Sequence, residues 1–412
     1  MNETDAERKK KGYVPALCFL TCAAGYMSIY VSRLNLTMAN AHLTDPAEGI
    51  MTVSEIGILG TVFTIIYAVF RFTNSILADR LKPWILLCSG LLICGLSNIC
   101  FSLFPSFVLL AVLWGLNGFG QSMLWGSIIS VFSTVYEREK AGKRLALLSS
   151  SILVGNVIGI LLSSFLIMRS GLRSAFYVPG AINIAVSLAL FFAVRKVPFE
   201  AKSTNLRDHL RGAFGMLRDR DLLRQLVPVV LHGVVKDNLN LWVAAYFMTF
   251  FRIDIKASLG LVLIVPFIGL LGRLMYNPVY SLLRKNELLV AASGFLVQTL
   301  AAFLLLLPGI GTLPAAIFLA VISAMTSLIN CSYHAVYPLR FRERGYAATV
   351  SGLLDLFIYG GAGLGSAIYG YVIEGKGPEG YLIMFASWGM ISVIGAVLLF
   401  LAIRARGKEE KA

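Results

Sequence analysis

A cationic side chain stands inside each of four long apolar stretches of this 412-residue chain: Arg33, Arg71, Lys236 and Arg273. A charge at the centre of a membrane helix costs about 2.5–3.5 kcal/mol, so such residues persist where they pair, line water or bind something. The intramembrane acids are Asp237 and, in another apolar stretch, Asp355, which leaves an excess of positive charge. Because a guanidinium fork matches a carboxylate or phosphate, this excess predicts an anionic ligand. Structural ion pairs and snorkelling to the membrane surface are the alternatives.

Polar and aromatic residues share helical faces with these cations. Their hydroxyl, amide and indole groups could fix the orientation of a ligand, or could equally hydrogen-bond neighbouring helices. The candidates near a cation or on a similar polar face are Tyr26, Tyr30, Gln121, Trp125, Asn240, His334 and Tyr337.

The acids and histidines of the second half have two interpretations. Asp237 is rotated by about 100° from Lys236, so we expect it to face a neighbouring helix. Asp355 is expected to pair with Lys236, and either Asp237 or Asp355 is expected to carry the proton if transport is proton-driven. His232 and His334 are structural hydrogen-bonding residues or members of the site.

The elements that position these residues must be membrane helices. Hydrophobic residues make up 57% of the chain and charged residues 14%, against about 25% charged in soluble domains. Lipid offers the backbone no hydrogen bonds, so the spans must be helical. We predict twelve spans, at 13–39, 53–78, 83–104, 106–134, 145–168, 174–194, 225–251, 256–283, 287–307, 312–338, 346–373 and 379–403.

The distribution of basic residues predicts the orientation. Most of the 36 Lys and Arg residues lie in the N-terminal tail, the C-terminal tail and every second loop. This asymmetry places both termini in the cytoplasm and the protein in the inner (plasma) membrane. The net charge of +14 therefore reflects the orientation in the membrane and does not indicate a nucleic-acid partner.

The chain divides into two halves around its longest loop. We predict a six-helix half at 1–194, a cytoplasmic linker with an amphipathic helix at 195–224, and a second six-helix half at 225–412. The cations recur at nearly matched places in the two halves, as expected for transporters built from internal repeats. Gly155 with Gly159, and Gly361 with Gly365, have the spacing of close helix packing.

Several function classes are not supported. There is no Gly-rich nucleotide-binding loop, so ATP-driven pumping is not expected. The six cysteines lack metal-ligand spacing. We therefore expect no cofactor, no metal site and no enzymatic activity.

The chain resembles the major facilitator superfamily over essentially its whole length. Asp79 and Arg80 stand in the loop after the second span, where that superfamily has its signature. The resemblance implies an all-α membrane protein with twelve transmembrane helices in two pseudo-symmetric halves, a gating role for Asp79 and Arg80, and transport by alternating access.

The first span more narrowly resembles the organophosphate–phosphate antiporters. It contains the family's G-Y-x-x-x-Y-x-x-R-x-N pattern from Gly25 to Asn35, and the resemblance assigns phosphate binding to Arg33. Arg71 and Lys236 fall at basic positions of the family, although a lysine stands at 236 in place of an arginine. The segment from Gln121 to Trp125 is similar to the family's fourth span, whereas Gly155 replaces a histidine.

This resemblance implies a monomeric transporter of a small organic anion, which is a phosphorylated metabolite or a carboxylate. Inorganic phosphate or a proton would be the counter-ion. Two other functions remain open: a non-transporting membrane sensor of a phosphorylated sugar, and a flippase for an anionic lipid.

Overall fold

The computed structural model describes residues 14–45, 49–78, 81–149, 151–199, 211–212, 215–341 and 347–409, and no β-strand occurs among them. The helices of the first part are α1 (Pro15–Leu43), α2 (Val53–Leu77), α3 (Pro83–Phe101), α4 (Phe107–Ser122), α5 (Leu124–Val135), α6 (Arg138–Ser149), α7 (Ser151–Ser170) and α8 (Ser174–Val194). Those of the second part are α9 (Arg220–Ala245), α10 (Ile255–Leu274), α11 (Tyr276–Leu282), α12 (Glu287–Leu304), α13 (Thr312–Cys331), α14 (Ala347–Lys376) and α15 (Glu379–Glu409).

A helix lies at each of the twelve predicted spans, so the all-α membrane fold is confirmed. Within the described residues, ten helical segments are long and apolar enough to cross a membrane. The seventeen-residue Val154–Ser170 segment of α7 is apolar but shorter. Helix α9 is not one of the ten, because the polar residues in its centre lower its mean hydropathy.

The first compact unit contains residues 1–39 and 66–205. Its core is formed by buried side chains of α1, α3, α5 and α8, including Cys22, Leu91, Ile128 and Leu190. Helices α3 and α8 approach each other at Gly95 and Gly180. A Cβ atom at Gly95 would lie 2.8 Å from the carbonyl oxygen of Gly180, so glycine permits this contact.

The second compact unit contains residues 40–65 and 206–412. Helix α2 is therefore divided between the units, and its first part packs against α14. A Cβ atom at Gly57 would lie 3.0 Å from the Cα atom of Gly370, and Ser54 N donates to the Glu374 carboxylate at 2.6 Å. The predicted division at 195–224 did not anticipate that residues 40–65 group with the second part of the chain.

Helices α9 and α14 make a second close contact in this unit. A side chain at Gly233 would collide with the carbonyl oxygen of Ile358, and one at Gly361 with that of Val230. Gly365 faces Asn238 of α9, and in the first unit Gly155 and Gly159 face Tyr30 and Val31 of α1. The packing role predicted for these glycines is confirmed.

An ionic network joins four helix ends of the second unit. Asp221 at the start of α9 accepts from Arg406 of α15 at 2.7 Å and lies 3.8 Å from Arg340. Arg340 also pairs with the buried Glu287 at the start of α12. These ends border the loops that the charge distribution assigned to one side of the membrane.

Most of the predicted linker helix, at 200–210 and 213–214, lies outside the described residues.

Candidate functional site

The first unit brings Arg33 of α1 and Arg71 of α2 to the same tyrosine. The guanidinium carbon of Arg33 lies 5.8 Å from the centre of the Tyr67 ring, and that of Arg71 lies 5.4 Å from it. Arg71 Nη1 also donates a hydrogen bond to Tyr67 Oη. The arrangement places two fixed guanidinium groups around one buried phenol, which can orient their donors toward an oxyanion.

Aromatic side chains continue along α1 from this cluster. The Tyr26 and Tyr30 rings meet edge to face at 5.5 Å, and Tyr26 lies 5.1 Å from the Trp125 ring of α5. Gly155 packs against this part of α1, where a Cβ atom would lie 2.9 Å from Tyr30 Cβ. The close approach leaves no room for the histidine that the resembling family has at this position.

Gln121 joins α4 to α1. Its buried amide nitrogen donates to Ile29 O and to Asn117 Oδ1, both at 3.2 Å. Asn117 in turn donates to Ser32 O at 3.1 Å. The structure therefore uses the Gln121 amide nitrogen for interhelical hydrogen bonding, which was the alternative to ligand contact.

In the second unit Lys236 is paired with its sequence neighbour. Lys236 Nζ lies 3.1 Å from both carboxylate oxygens of Asp237 and 4.9 Å from the centre of the Tyr359 ring. The expectation that the side chains of Lys236 and Asp237 point in different directions was wrong. The two Cα–Cβ bonds do diverge, but the four-carbon lysine side chain is long enough to bend back to the carboxylate.

Asp355 is paired with His334. His334 Nε2 lies 2.6 Å from Asp355 Oδ1, and the side chains are 26% and 9% exposed. The expected Asp355–Lys236 ion pair was therefore wrong: each partner is held by a different residue. His334 lies in a π-helical turn, Ser332–Val336, which continues α13. A π-turn inserts an extra residue per turn and is frequent at functional sites.

The remaining candidates of α9 differ in burial. His232 is fully buried, whereas Asn240 is exposed. The Asn240 amide donates a hydrogen bond to Lys236 O in the preceding turn of the same helix. Asn238 is the residue that ties α9 to α14, because it donates to Ala362 O at 3.1 Å and accepts from Ser366 at 3.0 Å. The predicted candidates of α9, which are His232, Lys236 and Asn240, thus do not include the residue that makes this contact between helices.

Arg273 and Tyr337 are not among the side-chain contacts of Lys236, which are Asp237 and Tyr359 in the described part of the chain. The Arg273 side chain is half-buried. Tyr337 is fully buried in the hydrophobic core of the second unit, beside Tyr333 and Phe341. Asp79 and Arg80, assigned to gating, lie outside the described residues.

Two tyrosines that contact the charged candidates, Tyr67 and Tyr359, were not predicted. Tyr67 precedes Arg71 by one helical turn, and Tyr359 follows Asp355 by one turn. This spacing places each tyrosine on the same helical face as a charged candidate. The signal was present in the sequence, because an aromatic hydroxyl one turn from an intramembrane charge is a hydrogen-bonding candidate.

The described residues contain no cluster of three or more His, Cys, Asp or Glu side chains that could hold a metal ion.

Residues 16–366 match the family model described as Major Facilitator Superfamily. The chain is 30% identical over 198 residues to a protein of Chlamydia pneumoniae named probable hexose phosphate transport protein, which is 48% of this chain and 43% of that one. It is 30% identical over 181 residues to the membrane sensor protein UhpC of Escherichia coli, covering 43% and 40% of the two chains. A phosphoglycerate transporter protein of Salmonella typhimurium is 28% identical over 178 residues, 42% of this chain and 38% of that one. The matched region thus spans less than half of the length of each of these relatives.

Two solved structures share the fold. A bacterial homologue of the human lysosomal transporter Spinster superposes with a TM-score of 0.73 at 17% identity, over 95% of this chain and 97% of that one. The nucleoside transporter NupG superposes with a TM-score of 0.79 at 14% identity, over 93% and 99% of the two chains.

Proposed function

This chain belongs to the Major Facilitator Superfamily, and we propose that it is a secondary active transporter of a small organic anion. The substrate class is a phosphorylated metabolite or a carboxylate, carried by alternating access. Inorganic phosphate or a proton is the coupled ion.

The observation that carries this proposal is the position of Arg33 and Arg71 around Tyr67. Both guanidinium groups lie within 6 Å of one buried ring, in helices whose lipid environment would otherwise exclude them. Arginine is suited to this task because its planar donors match the oxygens of a phosphate. The names of the relatives support a phosphorylated substrate, since two of them are named for hexose phosphate and phosphoglycerate transport.

The proposal assigns different roles to the two units. Arg33 and Arg71 bind the anionic group of the substrate, with Tyr26, Tyr30 and Trp125 beside them. Within the second unit, Lys236 is the cation that an anion reaches in competition with Asp237. We further propose that the protein lies in the inner membrane as a monomer with both termini in the cytoplasm, and that it has no catalytic activity.

Reconstitution of the purified protein into liposomes tests this function. Vesicles loaded with inorganic phosphate are diluted into labelled phosphate, glucose 6-phosphate, 3-phosphoglycerate or uncharged glucose. We expect counterflow of at least one phosphorylated compound and none of glucose. Equal counterflow of glucose would contradict an anion transporter, and no counterflow of any of the three phosphate-bearing anions would contradict a phosphorylated substrate.

A sensor function is the second candidate, and the similarity to UhpC favours it. A sensor would bind a phosphorylated sugar without moving it. Thermal stabilisation of the purified protein by glucose 6-phosphate, together with no counterflow in the same preparation, would select the sensor over the transporter.

A further inference from the structure

The turn of α1 that carries Arg33 is bound at both ends by asparagine side chains. The helical pattern pairs the backbone amide of Leu36 with the carbonyl of Ser32, and Arg33 lies between them. Leu36 N donates to Asn35 Oδ1 at 2.8 Å. Ser32 O accepts from the Asn117 amide of α4 at 3.1 Å. Side chains therefore contact the backbone on both sides of the arginine.

Hydrogen bonds from two further helices reach the same turn. Asn35 Nδ2 donates to Asn98 Oδ1 of α3 at 2.8 Å and to Ala175 O of α8 at 3.0 Å. Asn183 Nδ2 of α8 donates to Ser32 Oγ at 2.9 Å. The side chains of Ser32, Asn35, Asn98 and Asn183 are fully buried. Three helices of the first unit thus converge on the two residues of α1 that flank the arginine.

These anchors lie on the other side of α1 from the arginine. At about 100° per residue, Asn35 lies about 160° from Arg33 around the helix axis, and Ser32 lies about 100° from it. The opposite side of the helix faces the Tyr67 ring, whose centre is 5.8 Å from the Arg33 guanidinium carbon. The rotation of α1 sets the direction of Arg33, and the buried amides set the rotation.

We propose that Asn98 of α3 and Asn183 of α8 are positioning residues for the substrate anion. They fix the rotation of α1 and through it the direction of the Arg33 donors, and they act through the helix rather than on the anion. This inference rests on the proposed anion transport and adds two residues to the machinery of that site.

The geometry of the arginine cluster explains why the rotation matters. The Arg71 guanidinium carbon lies 5.4 Å from the centre of the same Tyr67 ring, but on another helix. Two guanidinium groups on different helices can bind one phosphate together only while their relative direction is kept. Functional side chains must be held within about 0.5 Å and 10–20° of the productive geometry. A small rotation of α1 would therefore separate the donors of Arg33 from those of Arg71.

The alternative is that these asparagines only hold the helices together, since polar side chains commonly hydrogen-bond across membrane helices. A buried amide is costly unless it is hydrogen-bonded, so either role makes the bonds necessary for stability. The two roles differ in their effect on affinity. A positioning residue changes the affinity for the anion through Arg33, whereas a purely structural residue changes only the stability.

The experiment is a double-mutant cycle on phosphate counterflow. The full-length protein is reconstituted into liposomes loaded with inorganic phosphate, as wild type, Asn98→Ala and Asn183→Ala. Each asparagine variant is also combined with Arg33→Lys, which keeps the charge and removes the planar fork. The measurements are the phosphate concentration for half-maximal counterflow, the maximal rate, and the Tm in detergent.

Ser187→Ala is the matched control. Ser187 lies one turn after Asn183 on α8 and is also buried. Its hydroxyl donates to Cys88 O of α3 at 3.0 Å, so this bond joins α8 to α3 and not to α1. The control removes a buried hydrogen bond from the same helix without releasing the turn that carries the arginine.

We expect Asn98→Ala and Asn183→Ala to need about three- to tenfold more phosphate for half-maximal counterflow, within the usual range of coupling between contacting residues. The maximal rate should stay within about twofold of wild type, because the loss is one of binding. With Arg33→Lys the same changes should have less than about a twofold effect, because lysine has no planar fork to direct. Ser187→Ala should lower the Tm and keep the wild-type affinity.

Two safeguards keep the experiment decisive. If one asparagine variant does not fold, the other is compared in its place. If Arg33→Lys exchanges too little phosphate to measure, the affinities of the single asparagine variants are compared with that of Ser187→Ala.

The failures of the inference and of the proposed function are distinguishable. Asparagine variants that match Ser187→Ala in affinity, or that lose as much affinity with Arg33→Lys as without it, would overturn the positioning role and leave the transporter in place. Wild-type protein that exchanges no phosphate-bearing anion would contradict the proposed function. If phosphate still stabilises that protein in detergent, as expected for a sensor, the same variants are compared by the phosphate concentration that raises the Tm. Without that stabilisation the positioning role is overturned as well.

Discussion

Lys236 Nζ lies at the same distance, 3.1 Å, from both carboxylate oxygens of the residue that follows it, Asp237. The side chains are 19% and 11% exposed, so the pair is mostly shielded from water. A substrate anion that reaches Lys236 has to compete with this internal carboxylate. The competition gives the empty protein a counter-ion for its lysine and lowers the apparent affinity for any anion.

We therefore predict that Asp237→Asn binds phosphate more tightly than wild type. Removal of one competing carboxylate should improve the apparent affinity about tenfold, which corresponds to about 1.4 kcal/mol. The measurement is the concentration of phosphate that gives half-maximal counterflow. Lys236→Gln combined with Asp237→Asn is the control, because without the lysine the gain should disappear. Weaker binding by Asp237→Asn alone would mean that the carboxylate contacts the substrate or stabilises the fold.

The second prediction concerns Arg33. Arg33→Lys keeps the positive charge and removes the planar fork, so the loss reports bidentate contact rather than charge. We expect counterflow to require about 10- to 100-fold more substrate, as for the loss of one or two hydrogen bonds to a charged group. Arg169→Lys, at the exposed end of α7, is the matched control and should transport as wild type does. Normal transport by Arg33→Lys would exclude a bidentate phosphate contact.

The sequence predicts the helices and the charged residues within them, but not which of those charges pair. The helices and the four intramembrane cations follow from hydropathy, because lipid penalises every charge and every open backbone group. The pairing of those charges does not, because it depends on side-chain rotamers and on which helices meet. Asp355 was expected at Lys236 from the sign of the charges and from the packing of their two helices that the resemblance implies. It lies instead 2.6 Å from His334, which belongs to the π-turn that continues α13.

For the glycines, too, the sequence predicts the packing face but not the space around each position. The spacing of Gly361 and Gly365 indicates a packing face, but only the structure shows that neighbouring Gly360 has open space. This pair of adjacent glycines gives the third prediction. Gly361→Ala should destabilise the protein by about 1–3 kcal/mol, because its methyl group would overlap the Val230 carbonyl of α9.

Gly360→Ala is the control for that change. Its methyl group meets nothing within 4 Å, and alanine favours a helix over glycine by about 1 kcal/mol. Thermal unfolding in detergent should therefore give a lower Tm for Gly361→Ala and an unchanged or higher Tm for Gly360→Ala. Equal Tm values for the two variants would contradict the close packing of α9 and α14.

The ionic network at the helix ends leads to the last prediction. Glu287 is buried with a side-chain exposure of 4%, and its carboxylate is held by Arg340. Arg340→Met should destabilise the protein by about 3–5 kcal/mol, because it leaves a buried carboxylate without its partner. The double variant Glu287→Gln with Arg340→Met should recover most of that loss, since a neutral pair of similar size avoids the desolvation cost.

Lys140→Met is the control: its pair with Glu137 is 66% and 58% exposed, and such pairs contribute about 0.2–1 kcal/mol. The Tm of each purified variant in detergent provides the comparison. A double variant that is no more stable than Arg340→Met would show that Arg340 acts through Asp221 or through the Tyr337 ring below it, and not through Glu287.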